Sequence, residues 1–131
     1  KDIDKFIDGI ELILGPCIGK LTGKKIDTTD KYILGYLYGI CDYTNQIYGL
    51  DNEINGIGTF MRLHSFVFNN SEDADLGKIM GTTIKLNTSE EPSFMEGMME
   101  GGSATAKMAN STKPSFETYI KLRNYVRENY S

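Results

Sequence analysis

The chain has one histidine in 131 residues, His64, and two cysteines, Cys17 and Cys41. A single imidazole excludes any metal site built on two histidines of one chain. The cysteines fit no C-x-x-C or related spacing, so they read as small buried hydrophobes, with a disulfide between them as the alternative. No metal site and no cofactor is expected.

Long apolar runs are also missing. Gly, Asp, Thr or Asn interrupts every stretch that approaches the roughly 20 apolar residues a bilayer requires, so no membrane span is expected. Residues 1–11 alternate charge and hydrophobe and lack the unbroken apolar centre of a secretory signal. A soluble, cytoplasmic protein is the expectation, with a periplasmic or secreted one the alternative where a signal has been removed ahead of Lys1.

Basic patches are scarce in a chain of net charge −4. The nearest, Lys121, Arg123 and Arg127, is interspersed with Glu117 and Glu128 and reads as a solvated helix face. Phosphate affinity needs clustered Lys and Arg, so nucleic acid is not an expected partner. Residues 76–81 (LGKIMG) have helix-turn-helix spacing, but the helix that would read DNA carries Glu90, Glu91 and Pro92 and only Lys85 as a base.

Catalytic signatures are equally thin. There is no G-x-S-x-G, and neither cysteine has an obvious base beside it. Residues 97–103 (GMMEGGS) lack the lysine ending of a phosphate loop and contain Glu100, which repels phosphate. Asn69, Asn87, Asn110 and Asn129 begin Asn-x-Ser/Thr triplets near expected helix ends, a pattern that an Asn- and Thr-rich chain produces by chance.

What the chain does have is helical periodicity, with apolar residues recurring at i, i+3, i+4 and i+7 between segments of Gly, Pro, Asn, Asp and Ser. A first helix carries Ile3, Phe6, Ile7, Ile10, Ile13 and Leu14 and ends at Gly15 and Pro16. Thr28, Thr29 or Asp30 caps a second, with Ile33, Tyr36, Leu37, Ile40, Thr44 and Ile47 inward and Gly49 as its stop. Asp51 or Asn52 opens a third, whose wide face of Ile54, Ile57, Phe60, Met61, Leu63, His64, Val67 and Phe68 predicts a central helix. Ser71, with Glu72, Asp73 and Asp75, starts a fourth with Leu76, Ile79, Met80 and Ile84 inward.

Ser93 and Glu96 match a capping box for a fifth helix, followed by Met95, Met98, Met99, Gly102, Ala106 and Ala109 at helical spacing. Pro114 and Ser115 lead into the last, with Phe116, Tyr119, Ile120, Leu122, Val126 and Tyr130. Only residues 82–87 (TTIKLN) could form a short strand. The expected fold is all-α, a bundle of five to six helices making one domain over residues 1–131.

Shifting the chain by 62 positions places Gly35 and Gly39 on Gly97 and Gly101, and Ile33, Tyr36 and Leu37 on Met95, Met98 and Met99. Ile54, Ile57 and Phe60 then fall on Phe116, Tyr119 and Leu122. Two like helical hairpins are implied, each opening with a helix whose G-x-x-x-G edge lets a neighbour approach closely.

The polar groups that fall on apolar faces are Tyr38, Asp42 and His64, with Glu96 and Glu100 reachable from the second hairpin; a packed core histidine is the simpler reading of His64. Met95, Met98 and Met99 are flexible, polarizable side chains suited either to the core or to a partner. Tyrosines near helix ends, Tyr32, Tyr43, Tyr48, Tyr125 and Tyr130, make good interface anchors. Residues 34–42 (LGYLYGICD) resemble the second helix of small bacterial helical immunity proteins that neutralise secreted toxins. The paired cysteines that flank this helix in that family are absent, and no functional residue carries over.

The expectation is a non-enzymatic interaction domain that self-associates or that inhibits or regulates a partner protein, an acidic surface suiting a basic partner. The alternative is a small-molecule- or metal-binding domain centred on Tyr38, Asp42 and His64.

Overall fold

The structure is a computed structural model describing residues 2–50, 53–72, 74–111, 113 and 115–130, without the side chains of residues 53–55. Among the described residues there are six α-helices and no strand: α1 Asp2–Cys17, α2 Lys31–Ile47, α3 Glu53–Phe68, α4 Leu76–Thr88, α5 Pro92–Ala109 and α6 Ile120–Asn129. Residues 82–87 are therefore helical, inside α4. No helix among them is long and apolar enough to cross a membrane.

Local chemistry sets the boundaries. Asp30 caps α2 by accepting a hydrogen bond from the Ile33 amide at 3.1 Å. The helix ends at Gly49, whose φ of 69° lets its N–H reach Gln46 O while the Leu50 N–H reaches Asn45 O, a Schellman closure. Helix α1 continues through Gly15 and Pro16 to Cys17, because proline's fixed φ is helical and its lost donor removes one bond only in the final turn. The caps proposed for Asp51, Asn52 and Asp73, and the role of Pro114, lie outside the described residues.

Two caps differ from expectation. Helix α4 is capped by Asp75, which accepts from the Gly77 and Lys78 amides. Ser71 instead pairs with the backbone of Ile26, accepting from its N–H and donating to its carbonyl. Helix α5 is capped by Glu91, which accepts from the Ser93 and Phe94 amides, with Pro92 as first helical residue. Ser93 is thus inside the helix, and the Ser93/Glu96 box is not its cap; Pro92, preorganised for the first helical position, starts the helix earlier.

Helix α2, not α3, is the central element, with ten of its 17 residues buried. It packs against α3, α4 and α5, while α6 packs on α1. The α2/α5 contact is of backbone on backbone. A Cβ on Gly35 would lie 2.0 Å from Phe94 O, one on Gly39 2.1 Å from Met98 O, one on Gly97 2.3 Å from Tyr32 O, and one on Gly101 2.1 Å from Tyr36 O. Positions rise together along both helices, so α2 and α5 run parallel. The pairs are reciprocal under the 62-residue shift, since Tyr32, Gly35, Tyr36 and Gly39 exchange with Phe94, Gly97, Met98 and Gly101.

The G-x-x-x-G edges therefore face each other about a local two-fold axis, each carbonyl sitting over a glycine Cα. The relation does not reach the second helices of the hairpins, for α3 packs on α2 whereas α6 packs on α1. The buried line of α5 is Phe94, Gly97, Gly101 and Thr105, one position from the expected methionine line. Similar edge shifts leave Ile47, Ile57, Met61, Ile84 and Phe116 between 44% and 64% exposed.

Candidate functional site

The parallel pairing of α2 and α5 brings their N-terminal ends side by side, with Lys31 bridging to the α5 cap Glu91 at 3.2 Å. Helix α6 lies across this end, and the three helices enclose an open groove of about 570 Å³. Its walls carry Asp30, Glu96, Glu100 and Glu128 against Lys31 and Lys121, so carboxylates outnumber ammonium groups by four to two.

The acids have different tasks. Asp30 caps α2 and also accepts from Tyr125 Oη at 3.0 Å and Tyr130 Oη at 2.5 Å, tying α6 to α2. Glu100 accepts from Tyr32 Oη and stands 3.7 Å from Lys121 Nζ. The rings of Tyr32 and Tyr125 lie 4.4 Å apart on the groove wall. Burial, then the Glu100 carboxylate, push the Tyr32 phenol upward, and burial with Asp30 pushes Tyr125 up to about 12. Both phenols therefore remain donors at neutral pH. Glu96 and Glu128 are exposed. Met99, 65% exposed, stands one helical turn beyond Glu96.

A second groove of about 330 Å³ lies on another side of α2, between α2, α3 and α4. Tyr38, Cys41, Asp42 and Asn45 supply the α2 wall, Ile57 and Phe60 the α3 wall, and Met80, Thr83 and Ile84 the α4 wall. Asp42 is exposed there and accepts from Gln46 Nε2 at 2.8 Å.

The five polar residues singled out in the sequence do not form one cluster. Tyr38 and Asp42 border the second groove, Glu96 and Glu100 the first, and His64 lines neither. His64 is fully buried, stacked on Phe60 with ring centroids 3.7 Å apart. Its Nδ1 lies 2.8 Å from Phe60 O; because a carbonyl can only accept, Nδ1 carries the proton and Nε2 is a bare acceptor without a partner among the described residues. Burial holds its pKa down to about 4 despite the upward pull of that bond, so the ring is neutral.

Of the methionines in α5 singled out in the sequence, Met99 is exposed, while Met95 and Met98 are partly buried against the core. Both cysteines are buried free thiols whose ionisation burial pushes upward. Among the described residues no group of three or more His, Cys, Asp or Glu side chains is arranged to hold a metal ion. The groove residues that no sequence motif marks include Lys31, Tyr32, Asn124, Tyr125 and Glu128 in the first groove and Asn45, Leu50, Gly56 and Thr83 in the second. Tyr32 and Tyr125 stand near helix ends and are visible in the sequence only as generic interface tyrosines.

No family model matches the chain, and no curated protein and no solved structure is significantly similar to it.

Proposed function

We propose that the chain is a non-enzymatic interaction domain whose α2/α5/α6 groove receives a cationic segment of a partner protein. The observation that carries this reading is the groove's excess of carboxylates around a closely packed pair of tyrosine rings. Carboxylates bind guanidinium or ammonium groups, and tyrosine faces add cation–π attraction. Asp30 and Glu100 are occupied by tyrosine hydroxyls and hold the walls, which leaves exposed Glu96 and Glu128 to meet the incoming charge. The non-enzymatic part is supported by the state of His64, Cys17 and Cys41, which burial keeps un-ionised.

The test is titration with a short arginine-rich peptide, comparing the native protein with Glu96→Gln/Glu128→Gln. Binding should weaken about tenfold or more in the variant and fall with added salt. Equal affinity for both proteins would sink the assignment, because the peptide would then be held by diffuse charge and not by this groove.

A further inference from the structure

The groove between α2, α3 and α4 is lined by residues with buried polar atoms that have no hydrogen-bond partner among the described residues. Thr83 is 1% exposed and its hydroxyl has no hydrogen-bond partner among the described residues. The side-chain amide of Asn45 donates from Nδ2 to Gly56 O at 3.3 Å, which leaves its Oδ1 buried and likewise unpartnered. Both residues line the same groove. Buried polar groups left unsatisfied are destabilising; both belong to residues that line one concavity, so a side-chain turn that brings either atom to the groove surface would let a ligand's polar atom satisfy it.

The remaining walls set the ligand's character. Ile57, Phe60, Met80 and Ile84 surround the two polar groups with hydrocarbon, and Ile57 and Ile84 are 44% and 58% exposed at the groove. Asp42 is the carboxylate bordering it, which disfavours an anion. A volume of about 330 Å³ admits a molecule of one or two rings. We infer that this groove binds a small, uncharged, largely apolar ring compound that carries one N–H or O–H donor, directed at Asn45 Oδ1 or the Thr83 hydroxyl. The site is separate from the acidic groove, and its occupancy does not depend on a cationic partner binding there.

Indole is a suitable probe, since it is apolar, planar, uncharged and has one donor; the protein contains no tryptophan, so indole fluorescence comes from the probe alone. 1-Methylindole has the same ring without the donor. Saturable binding is expected, with indole favoured over 1-methylindole by roughly five- to tenfold, the discrimination of one hydrogen bond to an otherwise unpaired buried group. Amide and methyl resonances of Asn45, Thr83 and Ile84 should shift on titration.

Thr83→Val keeps the side chain's shape and should bind indole several-fold more weakly while melting no lower than the native protein. Ile84→Gln, at an exposed wall, should also weaken binding without loss of fold. The inference is overturned by any of three results: no saturable binding, equal binding of the two indoles, or shifts centred on Tyr32 and Tyr125 in the other groove.

Discussion

Four glycines on the facing edges of α2 and α5, and two on the open faces of α3 and α4, are the same residue used in opposite ways. Gly35, Gly39, Gly97 and Gly101 each place a Cα directly beneath a neighbouring carbonyl, where no side chain fits. Gly58 in α3 and Gly81 in α4 would meet nothing within 4 Å if they carried a Cβ. The first set exchanges the helix-weakening entropy of glycine for a backbone contact; the second bears that entropy with no contact in return. Backbone-on-backbone contact between helices therefore concentrates on the α2/α5 seam, and the α3/α4 side keeps the groove, with polar atoms that have no partner among the described residues.

The strongest way to break this contrast is Gly39→Ala. The new methyl carbon would stand 2.1 Å from Met98 O and 2.8 Å from Gly102 N, both backbone atoms that only a separation of the helices can move. The expected cost is on the order of 3 kcal/mol, at the upper end for overpacking because no rotamer change relieves it. Equilibrium urea unfolding measures it. Unchanged stability would mean that α2 and α5 do not meet backbone to backbone.

Much of this seam is legible in the sequence, for the 62-residue shift alone puts both G-x-x-x-G edges in phase. What is not legible is which helix is central. Apolar counting favours α3, yet α2 is buried on more sides because Gly35, Gly39 and Thr44, weak on a hydropathy count, all face neighbours. The same blindness to small residues puts the expected buried line of α5 on the methionines, where the chain buries Phe94, Gly97, Gly101 and Thr105. The acidic groove is half visible through Glu96 and Glu100, but its tyrosine wall depends on α6 crossing the start of α2 through Asp30, a contact between positions 95 and 100 residues apart. No local pattern encodes such a contact.

The next effect lies in α3, where His64 is buried and its Nε2 has no partner among the described residues. Its pKa is lowered from 6.5 to about 4, so the folded state binds that proton less well than the unfolded chain. The associated stability is present above pH 6.5 and is lost as pH falls from 6.5 towards 4, by on the order of 3 kcal/mol in all. His64→Leu should remove this part of the acid limb while preserving stability near neutrality, because it replaces an unpaired nitrogen with hydrocarbon. Urea unfolding of both proteins between about pH 4 and 7 checks it. Parallel pH profiles would place the acid sensitivity in other groups and put His64 in a more open setting.

The smallest effect returns to the second class of glycine and has the opposite sign from the first. Gly81 sits in the interior of α4, exposed, with no atom within 4 Å of the position a Cβ would take. It has no positive φ to protect, so alanine fits the existing backbone. Gly81→Ala should stabilise the protein by about 0.5–1 kcal/mol, through better helix propensity and a less disordered unfolded chain. A thermal melt rising by a few degrees is the expected reading. A fall would show that this face of α4 is covered in solution by something that needs the glycine's open surface, and Gly81 would then belong with Gly35 and Gly39 as a contact residue.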